Sequence, residues 1–117
     1  MRPVALWLPF QVSDVEAGAT FYRDHLGLSI VDGWSRDGSR GLVLRMADAA
    51  FIELATPQAD VPAPPPFAVE LADSAEVDRV YATLRPGGPK PRRHPRGHYG
   101  FECDAPGGAR VMVWSEQ

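Results

Sequence analysis

The sequence predicts an α+β fold of two repeated modules, each running strand, helix, strand, strand, strand. Three observations carry this. Strand-like alternation meets an aspartate twice, at Asp14 and at Asp73, an offset of 59 residues. The same offset carries Leu8, Phe10 and Val12 onto Phe67, Val69 and Leu71, and Tyr22 onto Tyr81. After each aspartate comes apolar spacing of helical period, and then three β-type stretches.

Taken in order, Leu8–Val12 alternates apolar and polar residues, as a half-buried strand does, and Asp14 is a helix N-cap. Val15, Ala19, Tyr22 and Leu26 recur at helical spacing over Val15–His25, and Gly27 ends that helix. Leu28–Val31, Gly41–Met46 and Ala50–Ala55 read as strands, with a hairpin turn at Ala47-Asp48-Ala49. The polar stretch Asp32–Arg40 reads as a loop or strand end. Thr56–Pro65 is proline-rich, hence stiff and extended, and suits a crossing between modules.

The second module repeats the plan. Phe67–Leu71 is a strand, Asp73 a cap, and Val77, Val80, Tyr81 and Leu84 mark a helix over Ser74–Leu84. Pro86-Gly87-Gly88 stops it. Lys90–Pro95, His98–Cys103 and Arg110–Trp114 are the remaining strands, the last two joined by the turn Ala105-Pro106-Gly107-Gly108.

A chain of 117 residues suits one domain, here of two modules at about 1–58 and 59–117. Its net charge of −3 argues against a nucleic-acid partner. The single cysteine, Cys103, permits no internal disulfide and reads as a small buried hydrophobe. No stretch reaches the roughly 20 apolar residues of a membrane span, and no signal peptide is evident, so a soluble cytoplasmic protein without a membrane partner is expected.

The paired module resembles the vicinal-oxygen-chelate superfamily of glyoxalases, extradiol dioxygenases and bleomycin-resistance proteins. The residues that carry the resemblance are Val12-Ser13-Asp14, Phe21-Tyr22, Leu26-Gly27-Leu28 and Phe51-Ile52-Glu53-Leu54. Ala105-Pro106-Gly107-Gly108 before Val111-Met112-Val113 resembles the family's closing hairpin and last strand. The resemblance covers essentially the whole chain. It implies two βαβββ modules whose sheets form a curled mixed sheet, a cup, with helices on the outer face. It also implies a homodimer.

Metal-dependent members place up to four ligands in the cup. The matching positions here are Trp7, Glu53, Pro66 and Met112, related in pairs by the repeat offset. A zinc or iron site needs three or four ligands from His, Cys, Asp or Glu. Only Glu53 qualifies, so no metal, no other cofactor and no catalytic residue is expected.

Strand alternation sorts the remaining side chains. Leu8, Phe10, Val12, Ile52, Leu54, Phe67, Val69, Leu71, Val111 and Val113 should face the helices. The candidate ligand-binding residues are Trp7, Pro9, Gln11, Trp34, Phe51, Glu53, Pro66, Arg110, Met112 and Trp114. That lining mixes aromatic and apolar groups with a few charges, as ligand pockets do. Trp7 and Trp114 could equally bury against a second subunit, Met112 could be simple core, and Trp34 could be a lid or a dimer contact. Glu53 could accept a hydrogen bond from a ligand or pair with Arg110.

The basic run Lys90–Arg96 cannot be helical, because Pro91 and Pro95 interrupt it. It reads as a solvated edge strand, or as a source of arginine for an anionic or carbonyl-rich ligand. His94 and His98 stand four apart, which outside a helix does not converge them on a metal. His25 at a helix end is structural, and Tyr99 and Phe101 share a core-facing side.

The expected partner is therefore a hydrophobic aromatic small molecule. Metal-free relatives bind antibiotics such as bleomycin or mitomycin, so the resemblance implies resistance by sequestration of a bleomycin-, mitomycin- or enediyne-like natural product. The alternative is a glyoxalase- or dioxygenase-type enzyme, either metal-dependent or using Glu53 as acid or base.

Overall fold

Each of the two aspartates caps a helix as its position predicts. Asp14 accepts from the Ala17 amide at 3.0 Å and Asp73 from the Glu76 amide at 2.9 Å. These are the same two places in the repeat, and each bond satisfies one amide that a helix start leaves without a partner. The helices are α1, Val15–Leu26, and α2, Ser74–Leu84. Gly27 takes the left-handed conformation, φ 72°, and its amide bonds back to the last turn of α1.

The computed structural model describes residues 2–57, 64–84 and 87–117. The module boundary near residue 58, most of the proline-rich connection, and Pro86 of the expected helix stop lie outside the described residues. Two compact units emerge. One comprises Met1–Pro64 with Pro106–Gly108, the other Pro65–Ala105 with Ala109–Gln117.

The first unit carries β1 (Leu6–Gln11), β2 (Ser29–Arg36), β3 (Ser39–Ala47) and β4 (Ala50–Ala55). They order as β1-β4-β3-β2, with β1 parallel to β4 and the other pairs antiparallel. The second carries β5 (Phe67–Glu70), β6 (Arg92–Arg93), β7 (Tyr99–Ala105) and β8 (Ala109–Ser115) in the matching order β5-β8-β7-β6. Neither four-stranded sheet is closed, and each unit is a βαβββ module. Register repeats too. Pro9 pairs with Glu53 and Val43 with Glu53, while Ala68 pairs with Met112 and Glu102 with Met112.

In each unit the helix covers one face of the sheet. Phe10, Tyr22, Leu44, Ile52 and Leu54 are buried in the first core. Val69, Val77, Val80, Phe101, Val111 and Val113 are buried in the second. Each fully buried side chain of this kind contributes about 1.5–3 kcal/mol. Leu8, Phe67 and Leu71 share these faces but are only partly covered. Tyr99 and Phe101 face α2 as expected: Phe101 meets Tyr81 edge-on at 5.1 Å, and the Tyr99 hydroxyl donates to Asp78 at 2.5 Å. Among the described residues no helix is long and apolar enough to cross a membrane.

Two expected elements change. Of the two readings of Asp32–Arg40, loop or strand end, the second holds and extends further: β2 continues to Arg36, and β3 begins at Ser39. The turn between them is Asp37-Gly38, with φ 51° and 82°. Two adjacent left-handed residues make the tight hairpin that matches strand twist, and Asp-Gly is its sequence signal. In the second module the strand expected over Lys90–Pro95 shrinks to Arg92–Arg93. Pro91 and Pro95 have no amide hydrogen to give a ladder, so pairing stops between them.

Candidate functional site

With the helix on one side, the other face of each sheet is the candidate surface. On the first, strand pairing brings five of the six candidate positions of that unit together: Trp7 opposite Phe51, Pro9 opposite Glu53, and Gln11 on the same strand. Trp7 stacks on Phe51 with ring centroids 4.6 Å apart and planes 26° apart. Such pairs add about 0.5–1.5 kcal/mol beyond area burial. Arg45, which pairs with Phe51 from β3, holds its guanidinium carbon 5.9 Å from the Phe51 ring centre. Despite its stacking partner, Trp7 stays half exposed, at 50%.

Trp34 is the sixth. It stands on β2 opposite Gly41 of β3, and its indole N–H donates to Glu53 Oε2 on β4 at 3.1 Å. The ring crosses β3 where Gly41 has no side chain. A Cβ there would lie 2.4 Å from the indole nitrogen. Trp34 also lines shallow clefts beside Ser35, Arg36 and Arg40. So Trp34 sits on the outer half of strand β2, and its indole N–H fixes the Glu53 carboxylate.

On the second sheet, Pro66, Arg110 and Met112 line one open cleft together with Phe67, Ala68 and Glu102. Trp114 belongs to the same face but engages a different neighbour: His98 meets it edge-on at 5.6 Å. His98 in turn stacks on His94, centroids 4.6 Å apart and planes 3° apart. The spacing of these two histidines gave no reason to expect contact; the turn His94–Gly97, closed by the Gly97 amide on the His94 carbonyl, brings the rings together. His98 Nδ1 is buried without a hydrogen-bond partner. Burial, then the charges of His94 and Arg96, hold its pKa below the usual imidazole value, with Glu116 opposing.

Arg110 bonds Asp104 at 3.0 Å and lies 3.6 Å from Glu102, neighbours on its own sheet, while Glu53 holds Trp34. Cys103 is buried, and that burial pushes its thiol pKa up to about 11. Sequence reasoning missed Arg45, Glu102 and the histidine stack. Arg45 and Glu102 were accessible in principle, because strand alternation alone puts them on the open faces.

The four positions where the resemblance implies metal ligands do not fit a hard divalent ion. Trp7 and Pro66 offer no donor, the Met112 thioether is soft, and one Glu53 oxygen already accepts from an indole N–H. Among the described residues, no three His, Cys, Asp or Glu side chains gather as a metal would need.

Comparison with known proteins adds the following. Residues 5–113 match the model of the Glyoxalase/Bleomycin resistance protein/Dioxygenase superfamily. Among solved structures, a lactoylglutathione lyase from Agrobacterium tumefaciens is 24% identical with a TM-score of 0.69, over 98% of this chain and 96% of that one. A glyoxalase-related enzyme from Fulvimarina pelagi is 18% identical with a TM-score of 0.74, over 98% and 88%. An integron cassette protein from the mobile metagenome of V. cholerae is 19% identical with a TM-score of 0.68, over 100% and 98%. These likenesses concern the fold. No curated protein sequence matches the chain.

Proposed function

The chain belongs to the Glyoxalase/Bleomycin resistance protein/Dioxygenase superfamily, and from that premise we propose that it binds a hydrophobic aromatic small molecule and protects its cell by sequestering it. One observation carries the reading: Trp7 stacked on Phe51 on the open face of its sheet, with Trp34 held on the same face. Aromatic rings in a core would be covered by the fold itself. Trp7 is 50% and Trp34 37% exposed, pre-ordered by stacking and by the Glu53 bond, and so they offer a flat surface at little further entropic cost. The apolar cleft at Pro66 and Met112 gives the second module a matching surface.

The ligand class is an aromatic natural product of bleomycin, mitomycin or enediyne type, bound in the cytoplasm by a homodimer. Exposed Val4, Leu6 and Val31 give such a dimer apolar area to bury. Titrating such compounds while following tryptophan emission is the direct test. Quenching that saturates with a Kd below about 1 mM, and that weakens in Trp7→Ala, is expected. Lack of binding by every aromatic compound tried would sink the reading. Elemental analysis of the purified protein separates the enzyme alternative: stoichiometric, tightly held zinc, iron or manganese would favour it.

A further inference from the structure

Two clefts adjoin on the open face of the second sheet, and they differ in chemistry. One, of about 280 Å³, is lined by Pro66, Ala68 and Met112. The other, of about 90 Å³, is lined by Lys90, Arg92 and His94. Glu102 and Arg110 border both, so the clefts share a rim.

Strand geometry makes this arrangement. Ala68 pairs with Met112 and Glu102 pairs with Met112, which sets three short or unbranched side chains side by side. Arg92 pairs with Gly100, which is buried and where a Cβ would lie 2.3 Å from the Val113 carbonyl oxygen, so glycine lets β7 approach β8 closely at this point. The side chains of Lys90 and Arg92 make no ion pair or hydrogen bond among the described residues. Arg110, by contrast, is held by Asp104 and Glu102. The small cleft therefore presents two unpaired cations, Lys90 and Arg92, beside an Arg110 whose charge Asp104 and Glu102 already offset, in a chain whose net charge is −3. Its positive field is local, not a property of the whole surface.

Size divides the labour. A cavity of roughly 150 Å³ holds a benzene ring, so the larger cleft has room for one or two aromatic rings and the smaller only for a head group. We propose that the ligand is an acidic aromatic: its apolar body rests on Met112 and Pro66, and its carboxylate, sulfonate or phosphate lies against Lys90 and Arg92. This rests on the small-molecule reading above and narrows it to ligands bearing a negative charge.

The test uses 2-naphthoate, its methyl ester and inorganic phosphate as probes of the intact protein, by calorimetric titration at low salt. Naphthoate is expected to bind about tenfold more tightly than the ester, the sum of two exposed charge contacts. In Lys90→Gln/Arg92→Gln that advantage should vanish through loss of naphthoate affinity. Met112→Ala should weaken acid and ester alike. Both altered cations are exposed and unpartnered, so the double variant should fold, which circular dichroism checks. Equal binding of acid and ester, or an unchanged advantage in the double variant, overturns the acidic-ligand proposal while leaving the small-molecule reading standing. Phosphate binding as tightly as naphthoate also overturns it, because the apolar cleft would then contribute nothing. Binding of neither naphthalene overturns the acidic-ligand proposal and leaves the small-molecule reading to the tryptophan-emission titrations.

Discussion

Trp34 and Glu53 are joined across an intervening strand: the indole N–H of β2 reaches the carboxylate of β4 at 3.1 Å, over Gly41 of β3. A Cβ at Gly41 would sit 2.4 Å from the indole nitrogen, so the bond exists only because residue 41 is glycine. Gly41→Ala should swing the ring out and cost about 1 kcal/mol for the lost hydrogen bond. In a background of Trp7→Phe and Trp114→Phe, Trp34 emission should shift to longer wavelength. Glu53→Gln keeps an acceptor oxygen and should leave the emission near its original position. An unmoved spectrum in Gly41→Ala would show that the ring does not depend on that gap.

The Tyr99 hydroxyl ties β7 to α2 through Asp78 at 2.5 Å. That bond first, then burial, raises the Tyr99 pKa above its ordinary value of 10.0. A raised phenol pKa means that the contribution is present in full below pH 10 and is lost as pH rises through the folded-state value. Tyr99→Phe removes the hydroxyl and keeps the ring. It should cost about 1 kcal/mol in urea unfolding at pH 7, and the difference from wild type should shrink only at strongly alkaline pH. Equal stability of the two proteins at pH 7 would contradict this.

Repetition explains how much of this was readable beforehand. One offset placed Leu8 with Phe67 and Ile52 with Val111, and the structure pairs Leu8 with Ile52 just as it pairs Phe67 with Val111. Local chemistry sufficed for the caps at Asp14 and Asp73, since each bond spans three residues. The far half of β2 was missed because every residue of that strand is exposed, so no apolar alternation marks it. Only Asp37-Gly38 betrayed the hairpin. The Trp34–Glu53 bond spans 19 residues and the histidine stack depends on a turn, so neither follows from periodicity.

Cys103 should be close to inert in the folded protein. It is buried on β7, and burial, with Asp104 adding and Arg110 opposing, takes its pKa from 9.0 to about 11. At pH 8 the thiolate fraction then falls by about a hundredfold relative to the unfolded chain, before any steric shielding. Reaction with a chromogenic disulfide should be correspondingly slow in buffer and fast in denaturant. Rapid labelling of the native protein would mean that the β7–β8 pair opens readily.

The buried, unpartnered Nδ1 of His98 should make the second module sensitive to acid. Burial and the neighbouring His94 and Arg96 lower the ring's pKa below 6.5, against the attraction of Glu116. The unfolded chain then takes up its proton at a higher pH than the folded one. Between the folded pKa and 6.5 the unfolded state holds more protons, so stability rises with pH in that window. Acidification from pH 7 should destabilise the wild type until the folded-state pKa is passed, where this contribution levels off. His98→Phe keeps a ring against Trp114 and His94 but removes the proton site. The variant's Tm should therefore fall less steeply between pH 7 and about pH 5 than that of the wild type. Parallel Tm curves for the two proteins would assign the acid sensitivity to other groups, and NMR titration of the His98 ring would show which state carries the shift.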